Sequence, residues 1–307
     1  MRLPFRFLFA FLLLSVVPAS AQTTATLAGH VEDAASGRLP GVSVTIVSST
    51  TGVTRSAVTD GEGRYTFAAL PAGEYEIRAE LEGFRPLVQS GLRLTVGEQA
   101  SLVLRLEAGA SEDVRVTGGA DQVNTRTSDL SYLVDERTIA RIPINGRNFT
   151  DLMSLQPGVT PFPHRETGSV VAHGLAMSVN GVEPRGNVYL LDGTLLNDFT
   201  NGPAGSAAGT ALGMDTVREF RVETNAYSAE FGRAIGGQIN VITKSGGNQH
   251  TGSLFEFHRN DALDARNYFD AGEKPDFLRN QFGGTAGGPL TRDRLFFFVG
   301  YEGLLEN

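Results

Sequence analysis

Short runs of alternating apolar and polar residues dominate the chain after residue 21. Val42, Val44 and Ile46 alternate with hydroxyl residues, and the same period of two returns at residues 75–81 and 102–106. A period of two with one polar face indicates half-buried antiparallel strands. Between two such runs stands Asp60-Gly61, a dipeptide that predicts a hairpin turn with positive φ. Closely spaced strands of this kind predict a small β-sandwich over residues 22–108.

The sequence of this region also carries a family signature. "GHVEDAASGRLPGVSVTI" and "TDGEGRYTFAALPAGEYEIRAELEGF" resemble the carboxypeptidase regulatory-like family, whose fold is a transthyretin-like sandwich. The resemblance does not imply peptidase activity, because the chain contains neither HExxH nor HxxE, the usual zinc-ligand spacings. The two carboxylates of "DGEG" are too few for a calcium cage, so we expect a plain turn there.

The N-terminus has the pattern of an export signal. Arg2 and Arg6 precede an apolar run over residues 7–17, and Ala19-Ser20-Ala21 follows. A basic region, an apolar region and an A-x-A site predict a secretory signal peptide over residues 1–21, with the mature chain beginning at Gln22. The alternative is an uncleaved membrane anchor, but a spanning helix needs about 20 apolar residues and this run is shorter.

Residues 109–125 are small and polar around one short alternation. They form either a simple tether or a tether with a functional segment. In this segment an acidic residue is followed by alternating valines and a threonine, and its residues are Glu112, Asp113, Val114, Arg115, Val116 and Thr117. It resembles the TonB box of outer-membrane receptors. That resemblance implies strand addition to a TonB-type inner-membrane energy-coupling protein, in which the backbone extends the partner's sheet.

Residues 126–249 mix short helical and strand patterns. We predict a short helix around residues 149–155, ended by Pro157-Gly158, and a strand over Val188–Leu191. Four ordered blocks resemble the plug domain and barrel start of Oar-like TonB-dependent receptors: "INGRNFTDLMSLQPGV", "YLLDGTLLND", "VREFRVETNAYSAEFGRAIGGQINVITKSG" and "HTGSLFEFHRNDALDARNYF". The resemblance implies an α+β plug that sits inside a barrel.

Residues 250–307 are expected to begin that barrel. Phe255 and Phe257 are predicted to face lipid, and Glu256 and His258 the aqueous lumen. The region accommodates about three or four strands, far fewer than the roughly 22 of plugged transporters. We therefore expect an incomplete barrel in the N-terminal part of a longer receptor or in a truncated product. A second soluble β-domain is the alternative.

Glycine is frequent just before this region. Gly236, Gly237, Gly246 and Gly247 lie where the chain passes from plug to barrel. We expect close backbone approach and positive φ at these positions, both of which glycine allows.

Composition excludes several function classes. The net charge of −8 argues against nucleic-acid binding, which requires a basic patch. The lack of cysteine excludes disulfides and thiolate metal sites. No P-loop, Rossmann fingerprint or nucleophile elbow is present, so neither a cofactor nor an enzyme is predicted. His164 and His173 are interpreted as loop residues rather than metal ligands.

The sequence thus predicts a mainly β protein with a β-sandwich, an α+β plug domain and the first strands of an incomplete transmembrane β-barrel. The predicted function is TonB-dependent uptake of an unknown small molecule, glycan or peptide across the outer membrane of a Gram-negative bacterium, with sandwich and linker in the periplasm. The alternative is a secreted or surface carbohydrate- or peptide-binding sandwich without transport activity.

Overall fold

The computed structural model describes residues 24–109, 114–117, 130–142, 147, 149–162, 177–197, 212–225, 235–266, 274 and 276–306. Strands make up most of these residues, so the predicted mainly β class is confirmed. The predicted signal peptide, His164 and His173 lie outside the described residues. No helix among the described residues has the length and apolar character to cross a membrane.

The first seven strands form a β-sandwich. They are β1 (Thr24–Asp33), β2 (Ser43–Ser48), β3 (Thr54–Val58), β4 (Arg64–Pro71), β5 (Gly73–Glu80), β6 (Leu87–Leu94) and β7 (Gln99–Leu106). One sheet has the order β4-β1-β7, and the other has the order β3-β2-β5-β6 with β8 (Val114–Thr117) added at its end. Val44, Ile46 and Ile77 are almost fully buried between the sheets, as the period of two requires.

The turn at Asp60-Gly61 differs from the prediction. It connects β3 to β4, which belong to different sheets, so the predicted hairpin is wrong. Positive φ falls on Gly63, at 71°, and not on Gly61. The Asp60 carboxylate accepts the backbone N–H groups of Arg64 and Glu62 at 2.8 and 2.9 Å. The Arg64 N–H is the main reason that the pKa of Asp60 is lowered.

A mixed five-stranded sheet, the plug sheet, follows with the order β13-β12-β15-β14-β9. Its strands are β9 (Leu130–Asp135), β12 (Val188–Leu191), β13 (Thr194–Leu195), β14 (Val217–Asn225) and β15 (Gln238–Thr243), and helix α1 (Glu136–Arg141), a 3-10 helix (Phe149–Leu155), β10 (Val159–Pro161) and β11 (Met177–Val179) accompany it. The predicted helix and the predicted strand Val188–Leu191 are confirmed. Helix α1 was not predicted, because six residues are too few to show a helical period.

Strand β14 is buried on both faces. Phe220 and Val222 belong to the core of the plug sheet, while Glu219, Arg221 and Glu223 on the other face are also less than a tenth exposed. A half-exposed strand buries only its apolar face. A second body must therefore cover the charged face, and this body is the sandwich.

Three long antiparallel strands complete the described chain. They are β16 (Thr251–Asn260), β17 (Leu278–Thr291) and β18 (Leu295–Glu306), in the order β16-β17-β18. All three lie within residues 250–307, the region predicted to begin the barrel. With 14 and 12 residues, β17 and β18 are longer than expected, which leaves room for three strands here.

Candidate functional site

The predicted coupling segment is partly described. Glu112 and Asp113 lie outside the described residues, whereas Val114–Thr117 forms β8. The backbone of β8 pairs in parallel with β6, from Leu87 opposite Val114 to Ser90 opposite Thr117. The segment is therefore an edge strand of the sandwich.

The chain before β8 is also held on the sandwich. The N–H of Gly109 donates to the carbonyl of Gly83 at 3.1 Å, and the N–H of Arg85 donates to the carbonyl of Glu107 at 2.8 Å. Ala108 forms an isolated antiparallel bridge with Phe84. The segment before β6 thus binds the segment before β8, and the two strands start side by side.

The sandwich binds the charged face of β14 through the turn between β6 and β7, residues 95–98. The Glu219 carboxylate accepts the backbone N–H of Val96 at 2.9 Å, and the Arg221 guanidinium donates to the Thr95 hydroxyl at 3.0 Å. That hydroxyl donates in turn to Glu98 at 2.8 Å. Because buried charged groups are costly unless they are hydrogen-bonded, these bonds are what allows Glu219 and Arg221 to be buried. We call this arrangement the sandwich–plug contact.

Further bonds connect the two bodies around this contact. Arg93 of β6 donates to Asp135 of β9 at 3.1 Å, and Arg218 of β14 donates to the carbonyl of Ala72. Asp135 also caps α1, where it accepts the backbone N–H and the hydroxyl of Thr138. The Thr138 hydroxyl is the main cause of the lowered pKa of Asp135. Sandwich and plug sheet are joined by bonds at several separate places.

The glycine prediction is right in one respect and wrong in the other. A Cβ on Gly246 would lie 2.2 Å from the carbonyl oxygen of Phe297 and 2.9 Å from that of Gly288, so the close backbone approach is confirmed at this position. At Gly236 and Gly237 the nearest atoms to a Cβ belong to the side chains of Asn187 and Val179. None of Gly236, Gly237, Gly246 and Gly247 has a positive φ, so that part of the prediction is wrong. At Gly246 glycine is needed for space, because two strands of the following sheet leave no room for a side chain.

The orientation predicted for β16 is wrong. The guanidinium carbon of Arg147 lies 4.1 and 4.6 Å from the ring centroids of Phe255 and Phe257. Arg147 also pairs with Asp215, which precedes β14. The two phenylalanines therefore face the plug and not lipid, stabilised by a cation–π contact. Residue spacing alone could not show this, since Leu254 makes the opposite face of β16 apolar as well.

The outer face of the three-stranded sheet carries exposed apolar side chains. Leu254 is 93% exposed, and Phe282, Val299, Tyr301 and Leu305 share its face by strand register. The same register places Glu256 and His258 on this face, so the orientation predicted for these two residues toward the lumen is wrong as well. The exposed apolar side chains of this face are typical of an interaction surface. It has the character expected of the outside of a membrane barrel.

Among the residues that the structure describes, no group of three or more His, Asp or Glu side chains could hold a metal ion. The contacts that characterise this site are the backbone pairing of β8 with β6 and the buried hydrogen bonds of the charged side chains Glu219 and Arg221. Arg147, Glu219 and Arg221 were not predicted from the sequence. Charged residues alternating with apolar ones are typical of a solvated strand face, so no local signal marked them.

Two family models match parts of the chain. Residues 26–107 match a carboxypeptidase regulatory-like domain. Residues 242–307 match an outer membrane beta barrel domain. The first match ends before β8, and the second begins within β15, the last strand of the plug sheet in the chain.

A curated relative aligns with nearly the whole chain. The TonB-dependent transporter Oar of Myxococcus xanthus is 29% identical over 297 residues, which is 91% of this chain. The resemblance to Oar-like TonB-dependent receptors is confirmed. The chain spans only 26% of that transporter's length. The relative is a transporter, in agreement with the expectation of a protein that is not an enzyme.

Solved receptors resemble part of the chain. The siderophore receptor PirA of Acinetobacter baumannii is 19% identical, with a TM-score of 0.43, over 58% of this chain and 25% of its own. The ferric enterobactin receptor PfeA of Pseudomonas aeruginosa is 19% identical, with a TM-score of 0.41, over 59% of this chain and 25% of its own.

Proposed function

We propose that this chain is the N-terminal part of a TonB-dependent receptor of the outer membrane. In this proposal residues 1–21 are a cleaved signal peptide, 22–108 a periplasmic sandwich, 109–125 a linker with the coupling segment, 126–249 a plug and 250–307 the first barrel strands. The receptor takes up a substrate that the chain leaves unassigned. Because open sheet edges are unpaired in hydrocarbon, the receptor must supply further strands to close the barrel.

The observation that carries the proposal is the order of structural units on one chain. A sandwich is followed by an extended strand, a mixed sheet and long antiparallel strands with an apolar outer face. Arg147 joins the mixed sheet to the first long strand, as expected when a plug packs inside a barrel wall. The binding-module alternative expects a sandwich independent of the following chain, whereas residues 95–98 are bonded to β14.

The coupling step is strand addition. The backbone of residues 112–117 extends a sheet of a TonB-type inner-membrane protein, and the energised partner then pulls on the plug. Neither step requires a nucleotide or metal in this chain. Main-chain bonds carry such recognition, so it tolerates side-chain changes better than loss of a donor.

A proline substitution tests this assignment. Val114→Pro removes one backbone donor and restricts φ to about −65°. We expect it to weaken binding of the purified periplasmic domain of the host's TonB-type protein about tenfold, the equivalent of one net hydrogen bond. Arg115→Ala is the matched control, and it should bind nearly as the unaltered protein does.

The measurement uses protein extracted from outer membranes in detergent. A heat-modifiability gel shows that each variant has a folded barrel. Equal binding by the proline variant and the unaltered protein would place the coupling segment elsewhere in the chain.

A further inference from the structure

Strand β8 uses backbone groups that a partner strand would need. In a parallel pair, alternate residues of a strand direct their N–H and C=O groups to the neighbour. All four residues of β8 are in register with residues 87–90 of β6. While β8 remains on β6, that edge of the coupling segment is closed to any other strand.

From this pairing, which rests on the function proposed above, we propose that the edge of β6 at residues 87–90 is a second binding edge for the coupling segment. The sandwich and the periplasmic partner then compete for residues 114–117. While the coupling segment is paired with β6, it is unavailable to the partner. The partner binds the segment after the segment leaves β6.

The sandwich–plug contact explains why release is required. The sandwich is bonded to the plug through Glu219 and Arg221, so it stays with the plug. If the partner pulled on β8 while β8 was still paired with β6, the force would act on β6 and on the sandwich–plug contact. Only a released segment transmits the pull directly through residues 118–129 to the plug sheet.

The docked strand is suited to reversible binding. It is four residues long and lies at the end of its sheet, where β6 is its one neighbour among the described strands. The gain from its few backbone bonds is similar in size to the cost of ordering the segment. After release, the bonded residues Ala108 and Gly109 keep the segment close to β6, because only residues 110–113 separate them from Val114. A short tether of this kind gives an effective concentration on the order of millimolar, against which the partner competes.

The chain contains no cysteine, so an engineered pair tests the proposal without interference. Ser90 and Thr117 are register partners. Their Cα atoms lie about one strand spacing apart, roughly 4.8 Å, within the range that a disulfide can bridge. The matched control is Ser90→Cys with Val114→Cys, which is three residues out of register and therefore about 10 Å further along the strand.

The experiment compares oxidised and reduced forms of Ser90→Cys/Thr117→Cys in the detergent-extracted protein. The probe is the purified periplasmic domain of the host's TonB-type protein. We expect the in-register pair to form a disulfide and the control pair to form little. The oxidised form should bind the probe at least about tenfold more weakly than the reduced form. The disulfide holds β8 on β6, so the released state that binds the probe is no longer populated.

Two results would overturn the proposal. Equal cross-linking of the two cysteine pairs would show that β8 is not held in register on β6. Equal probe binding by oxidised and reduced protein would show that the partner uses the outer edge of β8 or another segment. A synthetic peptide of residues 109–120 separates these failures from failure of the proposed function, because it has no β6 to compete with the probe. If the peptide does not bind the probe, the coupling segment itself is misassigned.

Discussion

The Glu219 carboxylate accepts the backbone N–H of Val96 at 2.9 Å, although 123 residues separate the two in the chain. Glu219 is 2% exposed and Val96 is fully buried. The Glu219 carboxylate on the plug sheet is thus buried and serves as the acceptor for a backbone N–H in the sandwich turn at residues 95–98. This bond is the centre of the contact that makes the sandwich an extension of the plug.

Glu219→Ala should open this contact locally. Removing the acceptor leaves a buried N–H unpaired, which costs about 1–3 kcal/mol. We expect hydrogen–deuterium exchange at the Val96 amide to accelerate roughly ten- to a hundredfold, since exchange reports the free energy of local opening. Glu62→Ala, at an exposed turn, is the control and should leave Val96 exchange unchanged. Unaltered exchange in Glu219→Ala would mean that burial alone protects this amide.

Gly246→Ala should impair assembly of the three-stranded sheet. The new Cβ would meet the carbonyl oxygen of Phe297 at 2.2 Å, and backbone cannot move aside as a flexible side chain can. Overpacking of this kind costs about 1–3 kcal/mol. We expect severalfold less heat-modifiable protein in outer membranes. Gly61→Ala is the matched control, because its Cβ has no atom within 4 Å and its φ is not positive. Equal yields of the two variants would contradict the requirement for space at Gly246.

Asp135 should confer a pH-dependent increment of stability. Its pKa is lowered in the folded protein, so its contribution is present above the ordinary value of 3.8 and is lost as pH falls through the folded value. Asp135→Ala removes a helix cap and should cost about 0.5–2 kcal/mol at pH 7, measured by urea denaturation. The cost should diminish well below pH 3.8. Asp135→Asn retains capping without titrating, so a large pH dependence in that variant would show that another group is responsible.

Removal of residues 250–307 should raise solubility in the absence of detergent. The outer face around Leu254, Phe282 and Tyr301 is exposed. Among the described strands, β16 and β18 each have one unpaired edge. Such surfaces drive association in water. Ultracentrifugation of the two chains should show severalfold more of the shorter one in the supernatant. Equal solubility would count against the assignment of this sheet to a membrane barrel.

The sequence by itself determined the local elements of this protein. Alternation with a period of two located the sandwich strands β2, β5 and β7, and a short apolar run located the strand Val188–Leu191. Pro157-Gly158 marked the end of the short helix. These features depend on residues adjacent in the chain, so their pattern was sufficient. The ordered blocks of residues likewise pointed to Oar-like receptors before any contact was known.

Only the tertiary structure decided which neighbour each face and edge meets. Alternation shows that the two faces of β16 differ, but only Arg147 shows that Phe255 and Phe257 face the plug. A short strand such as Val114–Thr117 has two edges that can pair with another strand. Its own sequence does not show that β6 pairs with one of these edges. The burial of Glu219 depends on Val96, 123 residues away. Local patterns specify strands, whereas pairing and packing between distant segments depend on the whole chain.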